Sequence, residues 1–185
     1  MKQYILPSVR LTVACIILFM GIYPLLVFAI ARAAPAGGEG ETVSVKGRTV
    51  GYLREGQLFS EDKYFQGRPS AAGYHAESSA GSNKGPSNPE YLKTVQDRID
   101  TFLAHNPGIR REEIPSDLVT ASGSGLDPDI SLQAALVQVP RIARVRGLPA
   151  AKLEQLVRSR AERSFFNGIE KINVLQLNMQ LDEWL

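Results

Sequence analysis

An uncharged stretch near the amino terminus constrains the fold of this chain more than any other feature. The 21 residues between Arg10 and Arg32, LTVACIILFMGIYPLLVFAIA, carry no charge and no polar side chain beyond Thr12 and the Tyr23 hydroxyl. As a helix they would extend about 31 Å, close to the thickness of the hydrocarbon core of a bilayer. The sequence therefore predicts a transmembrane helix over residues 11–31.

A cleaved secretory signal is the alternative interpretation of the same stretch. Lys2 and Arg10 precede it, and small residues lie at its end and just beyond it, at Ala31, Ala33, Ala34 and Ala36. The stretch is longer than the apolar core of about 7 to 15 residues that secretory signals use, which favours a retained anchor. Either interpretation sends the remaining residues across or onto a membrane.

The flanking charges predict the orientation of the anchor. Lys2 and Arg10 lie on its amino-terminal side, whereas a single arginine lies close to its other end. Because basic flanks tend to remain in the cytoplasm, we expect residues 1–10 to be cytoplasmic. A Pro/Gly-rich linker over 32–41 then leads to one soluble extracytoplasmic (periplasmic) domain over 42–185.

The anchor also contains residues that predict contacts with other membrane helices. Pro24 lacks a backbone N–H and bends a helix, a defect that neighbouring helices can compensate. Gly21 permits the close approach of a second helix. We therefore expect Gly21, Tyr23 and Pro24 to pack against a partner within the membrane.

The first part of the domain shows one short strand, one long loop and one well-delimited helix. Residues 49–53 predict the strand, and the Gly-, Ser- and Asn-rich residues 67–88 predict the loop. The helix is expected over 88–106, with Asn88 or Ser87 as its amino-terminal cap. Its apolar residues recur at the spacing that a core-facing helix requires.

The second part of the domain alternates between extended segments and helices. Residues 114–121 predict a short extended segment, and residues 131–146 predict a helix that Pro140 kinks or divides. Pro149 opens a further helix. Alternating apolar and polar residues over 175–181 predict a half-buried strand. The fold class is therefore one transmembrane helix followed by a single α+β (mixed α/β) domain.

The charge balance argues against nucleic acid as a partner. The chain has 21 basic and 19 acidic residues, which gives a formal net charge of +2. Nucleic-acid-binding domains usually carry large basic clusters, whereas the clusters here do not exceed short pairs such as Arg110 and Arg111. The one cysteine, Cys15, excludes an intramolecular disulfide and a zinc site built on cysteines.

Catalytic and ligand-binding motifs in the sequence are missing or incomplete. The sequence has no GxxxxGK[ST] phosphate loop, and neither Ser122 nor Ser124 fits the GxSxG pattern of serine hydrolases. His75 and His105 are separated widely along the chain, and the acids at 127–129 lack the further ligands of a calcium loop. We therefore predict no catalytic residue, no metal site and no enzymatic activity.

In four loop segments the residue types are more specific than folding alone requires. The segments are DKYFQGRPS at 62–70, GSNKGPSNP at 81–89, LVTASGSGLDP at 118–128 and QVPRIARVRGL at 138–148. GIYPLL lies in the anchor and NVLQLN near the carboxyl terminus. In this order, and over nearly the whole chain, these segments resemble the KdpC family, whose members belong to the Kdp potassium-transporting ATPase. Asp129 stands where many members of that family carry histidine.

The resemblance implies a non-catalytic, single-pass subunit of an inner-membrane complex that takes up potassium at the expense of ATP. Its implied partners are the pore-forming, ATPase and small subunits of the Kdp complex, together with membrane lipid. The family is also described as a catalytic chaperone that binds ATP and raises the nucleotide affinity of the pump subunit. ATP is cytoplasmic, so this description conflicts with the predicted orientation, and ATP is a cofactor by resemblance only.

The four segments also supply candidate residues for contacts with partners or for the shape of the loops: Tyr64, Phe65, Gly67, Arg68, Pro69, Gly81, Asn83, Pro86, Asn88, Pro89, Ser122, Gly123, Ser124, Gly125, Asp127, Gln138, Pro140 and Arg141. The alternative is that these residues only cap helices and satisfy buried carbonyls within the domain. Two other classes of protein remain open, namely an exported, anchored hydrolase and a binding module, anchored or released by signal cleavage.

Overall fold

A computed structural model describes residues 2–164 and 168–184 of the chain. The first and last residues, which belong to the predicted cytoplasmic segment and the predicted domain, lie outside the described residues. The chain divides into two compact units between Glu41 and Thr42.

The first unit is dominated by one continuous apolar helix. Helix α1 (Lys2–Ile16) continues through a π-helical turn (Ile17–Ile22) into α2 (Tyr23–Arg32). Over Gln3–Arg32 this helix has the length and composition needed to cross a membrane. Within the described residues no other helix meets both criteria. The apolar helix extends beyond the uncharged stretch at 11–31 on the amino-terminal side.

The π-helical turn lies immediately before Pro24. The Tyr23 N–H bonds to the carbonyl of Leu18, so the hydrogen bond spans one residue more than in an α-helix. A local π-helical adjustment is one way in which a membrane helix accommodates the donor that a proline lacks. Gly21 lies in this turn, and Tyr23 and Pro24 begin α2. The predicted packing residues thus occupy the irregular part of the anchor.

The second unit begins with a two-stranded antiparallel hairpin. Strands β1 (Thr42–Val45) and β2 (Arg48–Tyr52) pair across a turn formed by Lys46 and Gly47. Both turn residues have positive φ, 48° and 78°, which is the geometry of a type I′ turn. Strand β2 confirms the strand predicted at 49–53.

A second antiparallel sheet joins distant parts of the domain. Strand β5 (Glu170–Asn173) lies between β3 (Asp129–Ser131) and β4 (Glu162–Arg163). Ile130 faces Ile172 across the β3–β5 pair, and both side chains are buried.

Helix α3 (Pro89–His105) confirms the predicted helix and its boundaries. The Asn88 side chain accepts a hydrogen bond from Tyr91 N–H, which satisfies one of the free donors of the first turn. Ile99 and Phe102 are buried on one face, whereas Leu92, at the first turn of the same predicted stripe, is 53% exposed. The stripe therefore meets the core only in the second half of the helix.

Proline and glycine delimit the next helices as predicted. The predicted 131–146 helix is divided into α4 (Leu132–Leu136) and α5 (Val139–Arg146), with Pro140 in the first turn of α5. Gly147 ends α5 in the left-handed conformation, at φ 66°. Helix α6 (Ala150–Ser159) follows the proline cap and buries its apolar stripe in the core.

The strand predicted at 175–181 is wrong, because this segment is helical. Helix α7 spans Val174–Glu183, and its buried residues are Val174, Leu175, Leu177, Asn178 and Leu181. Their spacing follows the period of a helix. The apparent two-residue alternation depends on treating Asn178 as a solvent-facing polar residue, whereas its side chain is buried.

The extended segment predicted at 114–121 is also wrong. The chain forms single 3₁₀ turns at Arg111–Glu113 and Ser116–Leu118. The Ser116 carbonyl accepts hydrogen bonds from Val119 N–H and from both the N–H and the hydroxyl of Thr120. A proline followed by a serine favours such local turns over an extended chain. The loop predicted at 67–88 is confirmed, apart from a short 3₁₀ turn.

One hydrophobic core unites these elements of the second unit. Helices α3 to α7 and strands β3 and β5 all contribute to it, and Phe65 enters it from the long loop. Its buried members are Phe65, Phe102, Leu118, Ile130, Ala134, Ala135, Val137, Val139, Ile142, Leu153, Leu156, Val157, Ile172, Val174, Leu177 and Leu181. The unit is thus a mixed domain of helices and small sheets, which confirms the predicted fold class.

Candidate functional site

The first of the four motif segments is anchored to the core by Phe65. The Phe65 side chain is 0% exposed, so this residue of an otherwise irregular loop lies within the hydrophobic cluster. Burial of an aromatic side chain also carries its backbone N–H and carbonyl out of water, and these groups then require partners. Both partners are supplied by one side chain of α7, Asn178.

Two side-chain amides bind the backbone of this segment. Each amide accepts a hydrogen bond from the N–H of one residue and donates one to the carbonyl of the same residue. Asn178 accepts from Phe65 N–H at 2.8 Å and donates to the Phe65 carbonyl at 2.9 Å. Gln138 accepts from Gln66 N–H at 2.8 Å and donates to the Gln66 carbonyl at 3.1 Å. Each amide therefore replaces a neighbouring β-strand, and both amides are buried.

Arg141 completes the same buried cluster. Its guanidinium donates to the carbonyls of Asp62 and Tyr64, and to the side chains of Asn106 and Gln138. The side chain is 0% exposed, and the Asp62 carboxylate lies 3.6 Å from Nη1. Burial lowers the pKa of Arg141 from its usual value, while the Asp62 charge opposes that shift. Gln138, Arg141 and Asn178 are called the Gln138–Arg141–Asn178 cluster below.

Tyr64 lies at the edge of this cluster, against a second arginine. Its hydroxyl donates to Asp182 at 2.9 Å, and the Arg146 guanidinium lies over its ring at 5.0 Å from the centroid. Arg146 also pairs with Asp182 at 2.6 Å. Burial raises the pKa of Tyr64, and the hydrogen bond to Asp182 raises it further. Tyr64 is therefore held in its protonated form as a hydrogen-bond donor.

A second group of motif residues fixes the loops that follow. Arg68 pairs with Asp127 at 2.9 Å, and the two side chains are 26% and 29% exposed. The Tyr74 hydroxyl donates to the carbonyl of Arg68, and Ser122 N–H bonds to the carbonyl of Pro69. These contacts join the first and third motif segments.

Glycines permit the close approach of the loops in this group. A Cβ atom at Gly125, where φ is +71°, would lie 2.7 Å from the carbonyl oxygen of Ala80. A Cβ atom at Gly81 would lie 3.0 Å from the carbonyl oxygen of Gly123. Ser124 accepts a hydrogen bond from Ser79 through its carbonyl. Only glycine fits Gly125 without a shift of the backbone.

The remaining candidates lie elsewhere. Asn83 adopts a positive φ of 51° in the exposed 81–89 loop, Asn88 caps α3 and Pro89 opens it. Pro86 is exposed in the same loop. A Cβ atom at Gly67 would lie 3.5 Å from the Tyr74 hydroxyl oxygen. The second motif segment is thus not brought into the Gln138–Arg141–Asn178 cluster.

Several residues of the site are not identified by the sequence. Asn106 is predicted only as a helix stop, although it is buried and its side chain binds Arg141. Asn178 falls in the wrongly predicted strand, and Asp62 and Arg146 are not among the candidate residues. The signal that could have identified Asn178 is the helical spacing of Val174, Leu177, Asn178 and Leu181.

Two grooves flank the motif segments. One, of about 780 Å³, lies between the β1–β2 hairpin and α7 and is lined by apolar residues that include Val45, Leu175 and Met179. The other, of about 640 Å³, lies between α3 and the 66–74 loop. Leu58 lines both grooves and is 70% exposed. Contiguous exposed apolar patches mark interaction surfaces, and Leu58 joins the apolar residues that line the two grooves.

The ionisable residues do not form a recognisable reaction centre. Among residues 2–164 and 168–184, no group of three or more His, Cys, Asp or Glu side chains is placed to hold a metal ion. His105 contacts Asp62 through Nδ1 at 2.8 Å, and both side chains are largely solvent-accessible. Asp129 pairs with Lys171 between β3 and β5, and this contact raises the pKa of Lys171.

The fold and the site together describe a single-pass membrane protein whose mixed domain uses its buried polar side chains to fix loop backbone. A family model described as "KdpC: K+-transporting ATPase, c chain" matches residues 5–183. The chain therefore belongs to the KdpC family, and it is an accessory subunit of the Kdp potassium-transporting ATPase complex.

Curated relatives agree with this assignment over almost their whole length. A protein of Flavobacterium johnsoniae, named Potassium-transporting ATPase KdpC subunit, is 55% identical over 174 residues, which cover 94% of each chain. Proteins of the same name from Bacteroides fragilis and Caldanaerobacter subterraneus are 47% and 41% identical, and the matches cover 97% and 99% of this chain and 96% of each relative. Nothing in these comparisons supports an unrelated hydrolase or binding module.

Proposed function

We propose that this chain is a non-catalytic scaffold of the complex, anchored in the inner membrane by its single helix. Its amino terminus lies in the cytoplasm and its domain lies on the extracytoplasmic side. The distribution of basic residues supports this orientation, since Lys2 and Arg10 precede the apolar helix. The helix packs against the pore-forming subunit through the irregular turn at Gly21, Tyr23 and Pro24.

The domain docks on the extracytoplasmic mouth of the pore-forming subunit and thereby stabilises the assembly with the ATPase and small subunits. The observation that carries this proposal is the use of the motif side chains. Gln138, Arg141 and Asn178 direct their polar groups at the backbone of residues 62–66. A binding surface that is fixed in advance loses little conformational freedom on association.

This use of the side chains also supports a role without chemistry. A catalytic amide or guanidinium must keep a donor or acceptor for a substrate. Asn178 instead holds Phe65 on both sides, and Gln138 holds Gln66 in the same way. The motif residues therefore set the shape of a surface, and the exposed Leu58 beside them supplies an apolar contact.

Copurification tests the docking surface. The tagged chain is expressed with the other Kdp subunits, and the variant Leu58→Glu is compared with the control Leu92→Glu. Both leucines are exposed, Leu58 at 70% and Leu92 at 53%. Burial of one leucine contributes about 1.5 to 3 kcal/mol, so Leu58→Glu should lower the affinity for the pore-forming subunit at least about ten-fold. Leu92→Glu should leave it unchanged, and equal recovery of the two variants would contradict the docking surface.

Protease accessibility tests the orientation. Protease added to sealed, right-side-out spheroplasts is expected to cleave the domain, whereas inverted vesicles should protect it. The opposite pattern would place the domain with cytoplasmic ATP, and it would favour the nucleotide-binding chaperone that the family resemblance implies.

A further inference from the structure

The β1–β2 hairpin is weakly supported by the rest of its own unit. Its strands pair with each other and with no other strand of the described residues. Thr42, Ser44, Thr49 and Tyr52 are exposed on it. An isolated two-stranded hairpin is marginally stable in water, so an additional contact on its open face would stabilise it.

The turn of this hairpin carries positive charge without compensation. The hairpin itself, residues 42–52, contains two basic residues, Lys46 and Arg48, and no acidic residue. Lys46 and Arg48 are exposed, and within the part of the chain that the structure describes neither forms an ion pair. An anionic partner could therefore pair with both side chains without breaking an existing ion pair.

Two of the three acidic residues that line the neighbouring groove are already engaged, and the third is Glu183. Glu61 pairs with Lys63 at 2.9 Å, and Asp182 pairs with Arg146 at 2.6 Å. These carboxylates line the groove beside the hairpin, yet their charges are balanced by nearer cations. Lys46 lines the same groove, and both Lys46 and Arg48 remain exposed to solvent.

The lysine in this turn is not explained by the geometry of the turn. Lys46 has φ 48°, a conformation that asparagine and glycine adopt with less strain. Asparagine at this position would favour the hairpin, and the chain instead carries a long basic side chain. A residue that opposes its local geometry is expected where it serves an interaction.

Chain connectivity keeps the hairpin near a bilayer. The apolar helix ends at Arg32 and β1 begins at Thr42. An extended chain spans at most about 3.5 Å per residue, so the segment between them reaches no further than about 35 Å. Lipid headgroups are thus within reach, at a high local concentration. The exposed aromatic ring of Tyr52 is of the type that favours the membrane interface.

We propose that the turn of the β1–β2 hairpin, through Lys46 and Arg48, contacts the headgroups of anionic lipids in the membrane that holds the anchor. This proposal rests on the membrane anchoring in the proposed function. Each basic side chain at an anionic surface shifts the equilibrium toward the bound state about five-fold. The two together shift it about 25-fold, and the contact weakens as salt screens the charges.

Fluorescence quenching of the full chain in vesicles tests the contact. The reporter combines Tyr52→Trp with Trp184→Phe, because Trp184 is the one tryptophan of the chain. Vesicles of phosphatidylcholine, with or without phosphatidylglycerol, carry a brominated lipid as quencher. Quenching should increase with phosphatidylglycerol and fall with added salt. Lys46→Glu combined with Arg48→Glu should abolish the increase.

Two further variants separate the lipid contact from effects on folding. Lys46→Asn suits the turn and should stabilise the hairpin while it lowers the lipid-bound fraction about five-fold. Lys93→Glu combined with Arg158→Glu changes the same net charge at exposed positions on α3 and α6, and it should leave the quenching unchanged.

Every outcome bears on the proposal. Quenching that does not depend on phosphatidylglycerol, or that responds equally to both double variants, overturns the hairpin contact. If the hairpin reporter is shielded only when the other Kdp subunits are present, whatever the lipid charge, its partner is a protein. That result also overturns the lipid contact. Flotation of the chain with the vesicles is measured in parallel. Failure to float overturns the membrane anchoring itself, and the hairpin contact with it.

Discussion

Replacement of Asn178 by alanine removes both hydrogen bonds that hold the backbone of Phe65. The N–H and the carbonyl of Phe65 then lose partners at 2.8 and 2.9 Å. Asn178 is 2% exposed and Phe65 is 0% exposed, so water has little access to either group. Each unsatisfied buried group destabilises the folded state by about 1 to 3 kcal/mol. We therefore expect Asn178→Ala to lower the free energy of unfolding by about 3 kcal/mol.

Urea denaturation of the full chain in detergent micelles measures this loss. The single tryptophan, Trp184, packs against the core and reports unfolding through its fluorescence. With a denaturant dependence of about 2 kcal/mol per M, the midpoint should fall by about 1.5 M. Gln176→Ala is the matched control, because Gln176 is an exposed amide on the same helix. It should change the free energy by no more than about 0.5 kcal/mol.

Hydrogen exchange shows whether the effect arises at the expected place. In the unmodified chain the Phe65 amide should exchange only through large-scale opening, because its acceptor is a buried side chain. In Asn178→Ala it should exchange through local opening of the 64–66 segment. Equal unfolding free energies for Asn178→Ala and Gln176→Ala, or unchanged protection of Phe65, would refute the assigned role of the amide.

Two further predictions concern the loops around Arg68. Gly125→Ala should destabilise the domain by more than about 1 kcal/mol, because the position has φ +71° and the new Cβ would lie 2.7 Å from Ala80 O. Gly85→Ala, with open space around it, should stay within about 0.5 kcal/mol; equal thermal shifts would contradict the close approach. Burial, aided by a nearby carboxylate, raises the pKa of Tyr74 above 10.0, so its contribution to stability is complete below pH 10 and is lost as the pH rises through the raised pKa. The stability difference between the chain and Tyr74→Phe should therefore shrink above pH 10, and a constant difference would contradict this linkage.

The helices with local boundary signals were predictable from sequence. Asn88 caps α3 and Gly147 ends α5, and each acts through hydrogen bonds or dihedral angles within a few residues of its own position. Such signals need no knowledge of the rest of the fold. Pro140 divides the predicted 131–146 helix for the same kind of local reason.

The segment around Asn178 shows where local signals fail. Asparagine is usually exposed, so sequence reasoning places it on the solvent face of a strand. Its burial depends on the Phe65 backbone, which no pattern within α7 reveals. The predicted extended segment at 114–121 fails in a similar way, because side-chain and backbone hydrogen bonds at Ser116 favour turns.

The candidate site was predictable in its residue types and not in its contacts. Gln138 and Arg141 stand out as members of the QVPRIARVRGL segment. Their partners, the Gln66 backbone and Asn106, lie 72 and 35 residues away in sequence. Pairings over such distances follow from the packing of α5 against residues 62–66 and against the end of α3, which only the folded domain defines.

These sequence separations have a consequence for synthesis of the protein. Residues 64–66 leave the ribosome long before Asn178, which follows Phe65 by 113 residues. The backbone of Phe65 therefore stays unpaired until translation is almost complete, and its ordering is a late, non-local event. A premature stop codon just before α7 would leave all four motif segments translated, but the first of them would lack the two hydrogen bonds from Asn178 to Phe65.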